Sequence, residues 1–178
     1  QRHVRFLYSN GSMYKCYNGN LLFHGCIPMD KAGDFLTFSS NGHAYSGKAY
    51  MDYAESMARK AYYGRKNAKQ DQEDFMWFLW CGCDSPLFGR DKISTFERYF
   101  VSDRETWVEN KNAYYKHILT KEACEKILSE FGLDPAASHI INGHVPVRTK
   151  NGESPIKAEG KLMVIDGGFC KAYHDTTG

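Results

Sequence analysis

At 178 residues, with 42% hydrophobic and 15% aromatic side chains, the chain is long enough to bury a core and too apolar to be disordered. A net charge of +2 over scattered lysines and arginines excludes the basic footprint of a nucleic-acid binder, and no run of 18 apolar residues offers a membrane span. We expect one domain over residues 1–178, of α/β or α+β class with a mostly buried sheet, and neither nucleic acid nor membrane as a partner.

The predicted elements open as a β-meander. "HVRFLY", "SMYKCY" and "NLLFH" read as strands, separated by "SNG" and by Asn18-Gly19. The second pair favours a type I′ turn because both residues tolerate positive φ. "DFLTFSS" adds a short strand before a turn at Asn41-Gly42. The period then changes: Tyr50, Ala54, Met57, Ala58 and Ala61 follow helical spacing and predict a helix from Gly47 to Tyr63. The basic cluster "RKNAK" reads as a solvated face. "QEDFMWFLW" (72–80) predicts a short buried helix whose large aromatics belong to the core.

Pro and Gly break "GCDSPLFG" (82–89) into a loop, and "TFERYFVS" reads as a strand. Thr120 caps a helix over "KEACEKILSEF", with Glu122 in its first turn and Gly132 just past its end. "SHIINGH" and "KLMVIDGG" are short apolar runs bounded by turn residues, suited to buried strands. No internal repeat and no domain boundary interrupts the pattern.

The six cysteines form no CxxC pair, which argues against a zinc ribbon. Their even count allows a disulfide framework, but a chain of this size needs none, so we expect reduced thiols and a cytoplasmic setting. "CGC" (81–83) reads as a turn with two incidental thiols rather than a metal site. No signal-peptide pattern opens the chain. Because it starts at Gln1 and stops at "HDTTG", it reads as a piece of something longer.

Two histidines share an unusual setting. His24 follows the apolar run of "NLLFH" and precedes Gly25; His144 follows "HIIN" and Gly143. Imidazole is a common transition-metal ligand when it is held neutral and aimed, which a strand end achieves. A neighbouring Gly lets the backbone turn sharply or approach closely. Taken singly, either residue is more often a core or surface histidine; the parallel contexts favour ligands. His3, His43, His117 and His174 sit in polar or turn surroundings. His139, five residues before His144 on an extended run, is expected on the opposite face.

Arg90 in "SPLFGRDK" offers a planar fork for phosphate, with Gly89 letting an anion near the backbone and Lys92 adding positive field. A surface loop with a salt bridge is the competing reading. "VIDGGF" (164–169) lacks the GxGxxG spacing of a dinucleotide site, and Asp166 is read as an acceptor that orients a neighbouring ligand rather than as a nucleophile.

From about Phe6 to Gly178, "LLFHGCIP", "LWCGCDSPLFGRDKISTFERYF" and "INGHVPVRTKNGESPIKAEGKLMVIDGGFCKAY" resemble the class III, Firmicutes-type fructose-1,6-bisphosphatases. These are members of the calcineurin-like metallophosphoesterases. "HGCIP" is similar to the superfamily's fourth metal motif and "NGHVP" to its fifth, Gly-His. "WCGCDSPLFGR" is similar in position to the segment that supplies a phosphate-binding Arg. The first three motifs, Asp-x-His, Gly-Asp-x-x-Asp-Arg and Gly-Asn-His, do not occur here, and with them the usual catalytic His is missing. Pro146 stands where some members place a second His.

The resemblance therefore implies the later half of a catalytic domain, a layered β-sandwich with flanking helices. It implies two divalent metals, usually manganese, with His24 and His144 each on a metal and Arg90 and Lys92 on phosphate. A metal-generated hydroxide would attack phosphorus in line. The reaction would convert fructose 1,6-bisphosphate to fructose 6-phosphate and phosphate, a step of gluconeogenesis. The chain would supply no catalytic side chain of its own, would be inert alone, and would have the rest of its polypeptide and a sugar bisphosphate as partners; a homo-oligomer stays open. The alternatives are a phosphoesterase for phosphoproteins or dinucleoside polyphosphates, and a non-catalytic interaction module.

Overall fold

The computed structural model describes residues 1–64, 70–148 and 151–166. In chain order the elements are α1 (Arg2–Asn10), β1 (Tyr14–Tyr17), β2 (Asn20–Phe23), β3 (Phe38–Ser40), β4 (His43–Tyr45), α2 (Gly47–Tyr63), α3 (Gln70–Cys81), α4 (Thr95–Phe100), α5 (Tyr114–His117), α6 (Lys121–Glu130), β5 (His139–Asn142), β6 (Ile156–Lys157) and β7 (Leu162–Val164). The class is mixed α/β. Where the sequence showed no boundary, the chain packs as two compact units: Gln1–Gly11 with Cys26–Tyr115, and Ser12–Gly25 with Lys116–Gly178. The cluster "RKNAK", the end of "VIDGGF", Cys170 and His174 lie outside the described residues.

The first unit is mainly helical. Asn41 and Gly42, at φ of 50° and 77°, make the tight turn between β3 and β4. The helix expected from Gly47 to Tyr63 forms over that span and buries Tyr50, Met51, Ala54 and Met57. Phe38 of β3 gathers the aromatic core, stacking on Tyr50 at 5.0 Å and meeting Phe75 of α3 edge-on at 5.6 Å.

Three expectations fail in this unit, the first two for a tertiary reason. "HVRFLY" is helix α1, not a strand. A run of six residues cannot tell the two periods apart. The helix is held at its C-terminal end by Arg59 of α2, which donates to the Tyr8 carbonyl and, at 2.6 Å, to the Gly11 carbonyl. "TFERYF" is helix α4, also not a strand. The Trp107 indole N–H donates to the Glu97 and Val101 carbonyls at 3.1 and 3.0 Å, capping the end of α4 from downstream. Finally, α3 is not buried all round: Phe75 and Leu79 are buried and Met76 and Phe78 half-buried, while Trp77 and Trp80 are 63% and 62% exposed.

The second unit is built on a five-stranded sheet in the order β1-β2-β5-β7-β6. The three central strands are parallel, and β1 and β6 flank them antiparallel. Asn18 and Gly19, at φ of 49° and 72°, make the expected turn between β1 and β2. Register aligns Leu21, Ile140 and Leu162 in one buried row and Phe23, Asn142 and Val164 in the next. Helix α6 packs on β5 and contributes Cys124, Ile127 and Leu128 to the core.

α6 starts and stops as its sequence implies. The Thr120 hydroxyl accepts from the Ala123 N–H at 3.3 Å. Gly132, at φ 73°, lets Leu133 N–H reach the Leu128 carbonyl at 2.9 Å while its own N–H reaches Ser129 at 3.0 Å. Nearby, the buried Lys161 ammonium is satisfied by the carbonyls of Pro135, Ala136 and Ser138 at 2.6, 2.7 and 3.3 Å. No described helix is long and apolar enough to cross a membrane.

Candidate metal centre

Parallel β2, β5 and β7 all end at one edge of the sheet, and the residues singled out from sequence follow directly. His24 comes after β2, Gly143 and His144 after β5, and Asp166 two residues after β7. The crevice beyond the carboxyl ends of parallel strands is where α/β folds place ligands, because side chains from several strands converge there.

Backbone hydrogen bonds lace these strand-end loops together. Gly143 N–H donates to the His24 carbonyl at 3.3 Å, Ile165 to Asn142 at 2.9 Å, and Val147 to Asp166 at 3.3 Å. The turn at His144 is tight: its φ is 69°, and Val145 N–H reaches back across it to the Gly143 carbonyl at 2.9 Å. That is the left-handed γ-turn, which costs a non-glycine residue strain and is found where a side chain must be aimed.

The outcome is that the His24 and His144 rings lie 5.3 Å apart, centroid to centroid, edge to face. Gly143 makes this possible. A Cβ on Gly143 would lie 3.0 Å from His24 Nδ1 and 3.8 Å from the Asp166 Cβ, so a side chain there would displace the imidazole. His24 is exposed, and His144 and Asp166 are half-buried.

His139 belongs to neither ring. It opens β5, exposed and paired with Asn20, so the length of the strand separates it from His144. The separation expected from sequence holds for a different reason: β5 ends at Asn142, and strand alternation does not run on to His144. His3 and His43 are exposed, as expected, whereas His117 is half-buried.

Sequence reasoning overlooked Asn142. It is a buried amide in the otherwise apolar row between Phe23 and Val164, one residue before Gly143. A polar residue in phase with the buried positions of a strand was the available signal.

Arg90 and Lys92 belong to the first unit. The Arg90 guanidinium is half-buried and donates through Nη1 to Glu109 at 2.6 Å. Glu109 also accepts from the Ser94 N–H at 3.0 Å and the Ser94 hydroxyl at 2.8 Å. These Ser94 bonds, then Arg90, hold the Glu109 carboxyl below its usual range. Gly89 does not leave room for an anion, contrary to the sequence reading. Its φ is 60°, its N–H donates to Ser85 at 3.0 Å, and the place of its side chain is filled by Cys26 Sγ at 2.8 Å and the Tyr115 ring at 2.9 Å. Lys92 is half-buried next to Asp91.

The five described cysteines are free thiols. Burial pushes Cys26 and Cys124 up to about 12, which keeps both thiols protonated at neutral pH. Among the described residues no three His, Cys, Asp or Glu side chains converge as a complete metal-binding group. The two imidazoles therefore fit part of a coordination sphere and leave the other positions to be filled from elsewhere.

A sequence-family model for the Firmicute fructose-1,6-bisphosphatases matches residues 1–178. The chain belongs to that family. It is 58% identical to a class 3 fructose-1,6-bisphosphatase of Alkaliphilus metalliredigens, and 53% and 54% identical to those of Clostridium novyi and Clostridium tetani. In each comparison all of this chain is covered, but only 27% of the relative's length. No solved structure matches the chain.

Proposed function

We propose that this chain is the later part of a fructose-1,6-bisphosphatase. The whole protein would cleave fructose 1,6-bisphosphate to fructose 6-phosphate and phosphate, a gluconeogenic step. The observation that carries the reading is the edge-to-face pair of His24 and His144 at the ends of adjacent parallel strands. Family membership supplies the substrate class, through relatives named fructose-1,6-bisphosphatase. The parallel strand ends also agree with a calcineurin-like layered domain, of which this sheet would form one layer.

In this reading His24 and His144 each hold a divalent ion. When bound, such ions supply Lewis-acid polarisation of a phosphoryl oxygen and acidify water at neutral pH. Imidazole nitrogen alone would as readily accept zinc or iron; manganese follows from the family resemblance. The γ-turn at His144 and the bare Cα of Gly143 fix the two rings before any ion arrives, so little ordering remains to be done on binding. Asp166, whose Cβ lies 3.8 Å from the place a Gly143 side chain would take, would orient the ligand set by accepting a hydrogen bond. Arg90, oriented by Glu109, would neutralise phosphate oxygens as charge develops, and Lys92 would add positive field.

The test uses the full-length enzyme with metal content measured beside turnover. His24→Ala and His144→Ala should each lose bound metal and activity together, and excess manganese should restore part of both. Fructose 1,6-bisphosphate should be the best substrate in a panel that includes phosphopeptides and dinucleoside polyphosphates. Normal metal content in both variants would remove the two histidines from the site.

A further inference from the structure

Helix α3 reads "QDQEDFMWFLWC" and carries six consecutive large apolar side chains, Phe75 to Trp80, of which Phe75 and Leu79 are buried and Met76 and Phe78 half-buried. Six such residues in a row put apolar surface on every side of that part of the helix, and each exposed indole keeps water ordered against it. Trp77 and Trp80 instead stand together in the open, 5.1 Å apart between ring centroids. At about 250 Å² for a fully exposed tryptophan, the two present on the order of 300 Å² of apolar surface, the scale of the largest patches on monomeric proteins.

They form one wall of a groove of about 400 Å³, completed by Tyr8 of α1, Ala61 and Tyr62 of α2, and Met76 of α3. The groove is already built: Tyr8 and Tyr62 stack in parallel at 4.1 Å, which sets its opposite wall. Among the described residues that line it, the charged one is Glu73, and Asp71 and Asp74 share the first turns of the same helix. An apolar occupant with a basic side chain at the end facing Glu73 would complement this described lining.

Family membership says where such an occupant comes from. The chain aligns over its whole length with only 27% of each relative, so most of the polypeptide lies outside it. We infer that the Trp77–Trp80 face and its groove are the docking surface for another segment of the same polypeptide, an apolar stretch that places a Lys or Arg against Glu73. This inference stands apart from the metal reading, since it uses no residue of the His24–His144 pair.

Hydroxyl-radical footprinting of the full-length protein, read residue by residue by mass spectrometry, tests it. Trp77 and Trp80 should react several-fold more slowly in the folded protein than in urea, and this protection should persist on dilution that separates any subunits. Glu73→Lys should raise the reactivity of both indoles while leaving the helical circular dichroism unchanged. The inference is overturned if both tryptophans react as freely as in urea. Protection lost on dilution also overturns it and assigns the face to a second copy. Reactivity unchanged by Glu73→Lys overturns the basic character of the occupant.

Discussion

The strand-end loops of the second unit and the helices of the first satisfy their backbone polar groups in different ways. Beyond β2, β5 and β7, loop amides donate to carbonyls of the next strand end, so the sheet's own register continues into the site. In the first unit, α1 is closed by Arg59, 48 residues beyond Gly11, and α4 by the indole of Trp107. Register follows from local alternation and turns, which a sequence displays. A cap delivered by a side chain far along the chain depends on folding already completed. The first arrangement gives a rigid aim to His24 and His144; the second lets a short segment adopt whichever structure its distant partner completes.

The largest effects should fall on the strand ends. In the full-length enzyme, His24→Ala or His144→Ala should cost about 4 kcal/mol of transition-state stabilisation, roughly a thousandfold in kcat/KM. The double variant should be little worse than either single one if, as proposed, both rings serve one centre. His139→Ala, at the opposite end of β5, should leave kcat/KM and metal content unchanged. Equal losses at all three positions would show that the strand as a whole, and not its carboxyl end, is what matters.

Arg90→Lys comes next. It keeps the charge and loses the planar fork that Glu109 holds, so the full-length enzyme should lose about 3 kcal/mol, on the order of a hundredfold in rate. Unchanged kinetics with a lowered melting temperature would return Arg90 to a structural salt bridge with Glu109.

Two smaller effects compare the distant cap with the local one by urea unfolding. Arg59→Ala removes a guanidinium from the Tyr8 and Gly11 carbonyls and should cost about 2 kcal/mol, with loss of helical signal from α1. Thr120→Ala removes the hydroxyl that accepts from Ala123 and should cost about 1 kcal/mol without unravelling α6. If Arg59→Ala left α1 intact, that helix would be self-sufficient and the contrast between the units would fail.

How much was legible follows the same division. The helix Gly47–Tyr63 was read to its ends because its 3.6-residue apolar spacing runs for 17 residues. α6 was legible at both ends because Thr120 and Gly132 act on their own neighbours. His24 and His144 stood out because each follows an apolar run and adjoins a glycine, and parallel pairing of β2 with β5 is what brings them together.

Other features belonged to tertiary structure alone. Six-residue segments such as "HVRFLY" and "TFERYF" carry too little periodicity to choose between helix and strand, and Arg59 and Trp107 made the choice. The steric role of Gly143 exists only because the His24 ring arrives beside it, and the room beside Gly89 is taken by Cys26 and Tyr115, far from it in sequence or across a loop. Periodicity, turns and caps act over a few residues, so the sequence by itself determined the long helices, the hairpins and the strand-end histidines. Which carbonyls a distant side chain reaches, and which glycine faces a ring, depend on contacts between segments far apart in the chain, and only the folded structure decided them.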